Sequence, residues 1–193
     1  AVTSLAQYCK PELNVLQPLL GKVARRHNWS IELCGFGPIA AAARTSQLVS
    51  HQQPDHVLLI GVAGTYDQGQ PLGVAVEYGH VACYGIGAGT GEHHQSASDL
   101  GWPQWQAVDS SRKIGDPISL DDDGRQGHPN GGHLLTCCSA STTLEDVQHR
   151  TRLHPEATAE DMEGFGVALA CDLISVRLQI ARGISNIAGD RNK

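Results

Sequence analysis

The sequence predicts an α/β fold of three layers, an α/β/α sandwich with a central mixed, twisted sheet flanked by helices. Strand-like and helical patterns interleave along the whole chain, which is the order typical of this class. Residues 57–60 form an uninterrupted apolar run, typical of a parallel strand buried on both faces. We find neither an internal repeat nor a domain linker, so we expect residues 1–193 to form one domain.

Composition excludes several classes of function. A chain of 193 residues can bury one substantial core, and its net charge of -6 argues against nucleic-acid and anionic-membrane partners. Its apolar runs fall short of the ~20 residues of a membrane span, and a basic-then-apolar signal peptide is not visible. The six cysteines show no C-x-x-C spacing and lie mostly in apolar patterns. We therefore expect reduced, buried thiols and a cytoplasmic protein.

The first third of the chain predicts two strands and two helices. Residues 2–8 form a weak strand pattern, and Pro11 suits the first turn of a helix. Residues 29–34 alternate as a half-buried strand does. Gly35 and Gly37 predict a turn, after which Pro38 opens an Ala-rich helix. The apolar stripe of the first helix consists of Leu13, Leu16, Leu19, Leu20 and Val23.

The middle of the chain predicts short strands and one long insert. Residues 61–64 read as a Gly-rich turn after the strand at 57–60, where ligands gather in open α/β sheets. Residues 74–84 predict a strand pair. The weakly structured segment 85–132 is typical of a binding loop or lid. Its histidines match no metal-binding spacing, so we predict no metal site.

The last third predicts strands at 133–138, 157–161 and 174–184, with a short helix after the first of them. Thr142 and Glu145 have capping-box spacing ahead of that helix. A further helix opens at Met162 and Glu163, and its apolar positions leave it buried nearly all round. Glu163 at its entrance is costly to bury without a partner. Either it stabilises the helix N-terminus through the dipole, or its carboxylate binds ligand hydroxyls. The pattern alone favours the dipole.

Three motifs in order change that balance. They are the apolar-glycine run at 58–64, Met-Glu-Gly-Phe at 162–165 and Arg-Gly-Ile-Ser-Asn at 182–186. Together they resemble the nucleoside phosphorylase and nucleosidase superfamily, and the last two match the futalosine hydrolase family residue for residue. Residues 35–38 and 40–45 resemble that family's first glycine turn and helix. The similarity spans most of residues 30–190.

This resemblance implies a nucleosidase that releases hypoxanthine from futalosine, in menaquinone biosynthesis, or from a related 6-oxopurine nucleoside. It implies a small-molecule purine nucleoside as ligand, no cofactor, and a homo-oligomer. The chain looks truncated at both ends, because it lacks an initiator Met and Lys193 follows soon after the last motif. In the family that motif leads into a further helix.

The resemblance also implies roles for individual residues. Glu163 is expected to accept hydrogen bonds from both ribose hydroxyls, with Met162 as an apolar surface against the sugar. The other expected substrate contacts are Val62, Ala63, Gly64 and Phe165.

Asn186 is expected to recognise the base during catalysis. Nucleosidases for adenine nucleosides carry Asp at the matching position. An amide instead suits a 6-oxo purine, because its carbonyl accepts from N7–H while its NH2 donates to O6. The alternative is an Asn that caps the turn after a strand.

The nucleophile remains open between water and phosphate. Hexameric phosphorylases bind phosphate with an Arg and a Ser or Thr at positions that are Leu59 and Val62 here. Neither side chain binds phosphate, so water is favoured, with Glu12 as the expected catalytic base. Glu12 equally suits a helix N-terminus. The alternatives are a purine nucleoside phosphorylase, a methylthioadenosine/adenosylhomocysteine-type nucleosidase, and a non-catalytic nucleoside-binding relative.

Overall fold

The computed structural model describes Val2–Thr3, residues 29–120 and residues 132–190. Within these residues nine strands form one mixed sheet. They are β1 (Val2–Thr3), β2 (Glu32–Leu33), β3 (His56–Thr65), β4 (Ala75–Tyr78), β5 (His80–Cys83), β10 (Ile118–Ser119), β11 (His133–Thr136), β12 (Ala157–Asp161) and β13 (Arg177–Ile187). Two hairpins stand apart: β6 (Gly87–Ala88) with β7 (Gln95–Ser96), and β8 (Trp105–Gln106) with β9 (Lys113–Ile114). The helices are α1 (Pro38–Gln52), α2 (Leu144–Leu153) and α3 (Gly164–Leu173).

Strand β3 is the centre of the sheet. One edge pairs in parallel with β13 over nearly its whole length. The other edge pairs with β1 in parallel and, nearer its end, with β12 in antiparallel. Val57 and Leu59 of β3 are almost fully buried, as the apolar run at 57–60 predicts for a central strand. Beyond β12 the order continues through β11, β5 and β10.

Helices cover both faces of the sheet, so the predicted three-layer α/β class is confirmed. Helices α1 and α3 pack together on one face, where Gly166 allows close approach. A Cβ at Gly166 would clash with the carbonyl oxygen of Pro38. On the other face α2 lies over β12 and contacts it through Arg150 and Glu160. A smaller apolar cluster is buried there, formed by Ala82, Leu135, Cys137 and Ala157.

Helix α3 is buried nearly all round, as predicted. Its buried residues include Phe165, Val167, Ala168 and Cys171, which join the main core cluster. The main core therefore lies between α3 and the sheet, and the helix N-terminus meets the end of β12.

Three predictions about local structure need correction. The residues at 61–64 are not a turn but the continuation of β3, because β13 supplies ladder partners as far as Thr65. The segment 85–120 is not weakly structured, since it forms two hairpins and the sheet strand β10. The helix α2 is capped one residue later than predicted, by Thr143 with Asp146, whose side chains and backbone N–H groups bond reciprocally.

The strand predicted at 29–34 shortens to β2, whereas the strand pair at 74–84 and the strand at 157–161 are confirmed. The helix predicted after Pro11 lies outside the described residues. In the part of the chain that is described, none of the helices has the length and apolar character needed to cross a membrane.

Candidate active site at the entrance of α3

Glu163 occupies the N-cap position of α3, yet its side chain makes no capping hydrogen bond. Its Oε1 accepts from the backbone N–H of Gly37 at 3.2 Å, across 126 residues of sequence. Its Oε2 lies 3.6 Å from Nη2 of Arg182. Only 7% of Glu163 is exposed. The carboxylate is therefore held in place by two other elements of the fold.

The N-terminus of α3 is satisfied by other side chains. The N–H of Gly164 donates to Oδ2 of Asp161 at 2.9 Å, and the N–H of Phe165 donates to the Thr136 hydroxyl at 2.8 Å. These are two of the N–H groups that a helix start leaves without intrahelical partners. Since Asp161 and Thr136 take that role, hydrogen-bonded capping does not account for the position of the Glu163 carboxylate.

Arg182 and Asp161 form a buried ion pair beneath Glu163. Both side chains are fully buried, and Oδ1 of Asp161 also accepts from the Thr136 hydroxyl at 2.7 Å. Burial and the negative charge of Asp161 raise the pKa of the nearby Tyr78 to about 12. Asp161 is thus fully engaged and enclosed, so it does not offer a free carboxylate to activate water.

Gly35 and Gly37 bring the first glycine turn to Glu163. Both have positive φ, +96° and +80°, in the region where side chains with a Cβ are strained. This turn leads directly into α1 and leaves the Gly37 N–H directed at the Glu163 carboxylate. The glycine turn predicted from sequence therefore contributes a backbone donor to the site.

Asn186 lies beside Gly64, its partner in the β3–β13 ladder. A Cβ on Gly64 would lie 3.2 Å from Nδ2 of Asn186, so glycine leaves room for the amide. The hydroxyl of Ser185 can donate to Oδ1 of Asn186 at 2.9 Å or to the Ala63 carbonyl at 3.3 Å. Nδ2 donates to the Ile187 carbonyl at 3.2 Å. An amide has two donors and two acceptor positions, so one of each remains for a ligand.

The other predicted contacts differ in exposure. Val62 is 57% exposed and Met162 is half-buried, whereas Ala63 is 4% exposed. The Phe165 side chain is 3% exposed and packs in the main core. Ligand contact by these residues stays a prediction, as it does for Gly64. Glu12 lies outside the described residues, and its role as base also stays a prediction.

Arg182 and Thr136 are site residues whose roles the sequence did not predict. A signal for Arg182 was available, because a charged residue inside an apolar strand run is rarely fully buried without a partner. Thr136 gave no comparable signal, since Thr is common in strands. The described residues thus offer two chemical capacities. The fixed carboxylate of Glu163 can accept hydrogen bonds from two neighbouring hydroxyls. The amide of Asn186 on β13 can bind one hydrogen-bond donor and one acceptor of a ligand.

Comparison with known proteins identifies the family of the chain. The family model described as "Phosphorylase superfamily" matches residues 10–193. Futalosine hydrolase from Streptomyces coelicolor is 28% identical over 170 residues, which cover 86% of this chain and 70% of that protein. The 5'-methylthioadenosine/S-adenosylhomocysteine nucleosidase of Colwellia psychrerythraea is also 28% identical, over 80% of this chain and 65% of its own length.

Solved structures share the fold. The Colwellia psychrerythraea nucleosidase in complex with adenine superposes with a TM-score of 0.65 at 24% identity, covering 82% of this chain and 65% of that one. A futalosine hydrolase mutant of Helicobacter pylori gives 0.62 at 16% identity, covering 84% and 70%. The chain thus spans about two thirds of these relatives, which are named as futalosine hydrolases or as 5'-methylthioadenosine/S-adenosylhomocysteine nucleosidases. From the family match over residues 10–193, the chain belongs to the Phosphorylase superfamily.

Proposed function

We propose that the protein hydrolyses the N-glycosidic bond of a 6-oxopurine nucleoside, with futalosine as the substrate and hypoxanthine as the released base. Its place would then be menaquinone biosynthesis. The observation that carries the proposal is the Glu163 carboxylate, which Gly37 and Arg182 hold in place although α3 does not use it as a hydrogen-bonding cap. A carboxylate so placed can accept from the 2′- and 3′-hydroxyls of ribose.

Cleavage of the bond builds positive charge on the ribose and negative charge on the base. In our proposal Glu163 binds the sugar against Met162, and Val62, Ala63, Gly64 and Phe165 complete the pocket. Asn186 receives the developing N7–H on its carbonyl and donates to O6 through its NH2. Its position beside Gly64 and its spare donor and acceptor support this role.

We propose water as the nucleophile and Glu12 as the base that activates it. Leu59 is fully buried in the core, and neither Leu59 nor Val62 offers a charge or a hydrogen-bond donor that could bind phosphate. Both observations support hydrolysis over phosphorolysis.

A second candidate is hydrolysis of 5'-methylthioadenosine or S-adenosylhomocysteine. It is favoured by the Colwellia psychrerythraea nucleosidase, whose identity to this chain equals that of the futalosine hydrolase. Asn186 argues against it, because the amide carbonyl accepts from the developing N7–H, and a 6-amino group then meets the amide NH2, donor against donor.

One assay distinguishes these activities. The protein is incubated with futalosine, inosine and 5'-methylthioadenosine, each with and without phosphate, and free base and ribose 1-phosphate are quantified. We expect hypoxanthine release that is independent of phosphate. Ribose 1-phosphate as product would identify a phosphorylase, faster release of adenine would favour the second candidate, and release of no base would contradict all of these activities.

A further inference from the structure

A second buried ion pair lies on the other face of β12 from Asp161. Nη1 of Arg150 and Oε2 of Glu160 are 2.6 Å apart, and their side chains are 6% and 5% exposed. Replacing a buried ion pair by apolar residues of similar volume is often neutral or stabilising. Stability by itself therefore gives no reason for two charges here. A reason for the two charges is that they make directional hydrogen bonds, which apolar groups cannot make.

Glu160 joins two segments of the chain. Its Oε1 accepts from the backbone N–H of Ser141 at 2.6 Å, and its Oε2 accepts from the hydroxyls of Ser141 at 2.6 Å and Tyr66 at 2.8 Å. Arg150 donates to the Ser141 hydroxyl at 2.9 Å and to the Ser139 hydroxyl at 3.4 Å. The pair thus fixes the segment after β11 and the residue that follows β3 against each other.

The hydroxyl of Tyr66 stays a donor in this network. Burial, together with the negative charge of Glu160, raises the pKa of Tyr66 far above its ordinary value. Every bond that reaches Glu160 therefore comes from a group that keeps its proton at neutral pH. Such charge-assisted bonds are shorter and stronger than bonds between neutral groups.

The register of the sheet places this network beside the proposed base site. Glu160 on β12 pairs with Gly64 on β3, and Gly64 pairs with Asn186 on β13. Glu160 and Asn186 therefore flank Gly64 in one row across three strands. Tyr66 is two residues beyond Gly64. The segment that Arg150 and Glu160 hold includes positions 138–140, which are exposed.

We propose that Glu160 and Arg150 are positioning residues that hold Tyr66 and the 139–141 segment as a wall, which fixes where a purine base lies against Asn186. This inference rests on the proposed function. The amide of Asn186 discriminates between a 6-oxo and a 6-amino purine only if the base is held in register with it, because hydrogen bonds weaken steeply with distance and angle. The ion pair sets specificity without touching the base.

The test compares base binding in the full chain and in a variant with an apolar pair, Glu160→Leu with Arg150→Met. Calorimetry gives the Kd of free hypoxanthine and of free adenine, and thermal unfolding reports the fold. We expect the double variant to fold and its preference for hypoxanthine over adenine to fall at least about tenfold. The single variant Arg150→Lys keeps the positive charge beside Glu160 and should retain most of the preference for hypoxanthine over adenine. The matched control is Glu32→Gln, which removes the negative charge from the partly exposed pair with Arg44 and should leave the ratio unchanged.

A folded double variant with an unchanged ratio overturns the inference and leaves the nucleosidase proposal intact. If the double variant does not fold, Tyr66→Phe decides, because it removes only the hydroxyl that reaches Glu160. A shifted ratio in that variant supports the inference, and an unshifted one overturns it. A chain that binds neither base overturns it as well. The remaining outcome is a chain that binds hypoxanthine and cleaves no nucleoside, while its preference for hypoxanthine over adenine depends on Glu160 and Arg150. That outcome supports the positioning role of the pair and contradicts the proposed hydrolysis.

Discussion

Replacing Glu163 by Gln tests the proposed ribose contact most directly. The amide keeps the shape of the side chain, and its Oε1 can still accept from Gly37. Its contact with Arg182 is long, at 3.6 Å, and Asp161 remains as the close partner of that arginine. We therefore expect the fold to survive. What the variant loses is the negative charge that strengthens the bonds from the two sugar hydroxyls.

The size of the effect follows from those bonds. A hydrogen bond to a charged group contributes about 1.5–3 kcal/mol, and each 1.4 kcal/mol is a factor of ten. Loss of one such bond in the transition state lowers kcat/KM by about 10–150-fold, and loss of both by about 10²–10⁴-fold. The larger loss is expected, because Glu163 is the proposed acceptor for both hydroxyls.

The assay measures kcat/KM on futalosine and inosine together with Tm. The control is Glu32→Gln, the same change at a partly exposed ion pair, where neither quantity should move appreciably. A Glu163→Gln protein with unchanged Tm and a kcat/KM within about threefold of the original would refute the reasoning. The carboxylate would then be a structural link between α1 and α3, and the site would need another sugar ligand.

Four further predictions follow from single residues. Asn186→Asp should raise the ratio of kcat/KM for adenine nucleosides to that for 6-oxopurine nucleosides, because the carboxyl group suits a 6-amino purine; a constant ratio would mean that Asn186 does not recognise the base. Glu12→Gln should abolish hydrolysis while calorimetry still detects hypoxanthine binding, whereas unchanged turnover would direct the search to another base. Gly166→Ala should lower the free energy of unfolding by about 1–3 kcal/mol, measured as a lower urea midpoint, because its Cβ would meet the Pro38 carbonyl; an unaltered midpoint would mean that the helices adjust freely. Burial raises the pKa of Asp116 from 3.8 to about 6, so the folded protein holds a proton there that the unfolded chain releases, and the contribution of Asp116 to stability falls as pH rises from about 4 to 6. Over that range Asp116→Asn should make stability rise more, or fall less, than in the original protein, and an identical pH dependence of unfolding would contradict this.

Local pattern alone predicted much of the architecture. The apolar run at 57–60 indicated a buried central strand, and the all-round apolar helix after Met162 indicated a core helix. Periodicity carries this information because it records which faces of an element meet the core. It could not place the end of β3, because only the neighbouring β13 decides that 61–64 continue as a strand.

The candidate site was found in part by motif. Glu163 and Asn186 could be identified from sequence because each lies in a short motif that is recognisable without knowledge of its neighbours in the fold. The role of Glu163 was ambiguous at that level, since a carboxylate at a helix start has an ordinary electrostatic explanation. Its partner Gly37 is 126 residues away, and no local pattern connects the two.

The tertiary structure decided which charges meet. Asp161 and Glu160 are neighbours in sequence, yet alternation along β12 sends them to opposite faces, one to Arg182 and the other to Arg150. The sequence shows two adjacent acidic residues and two separate arginines, and it does not indicate which arginine pairs with which acidic residue. Strand register and the layer on each face make the match, because a buried charge is tolerated only where the fold brings its partner within hydrogen-bond distance.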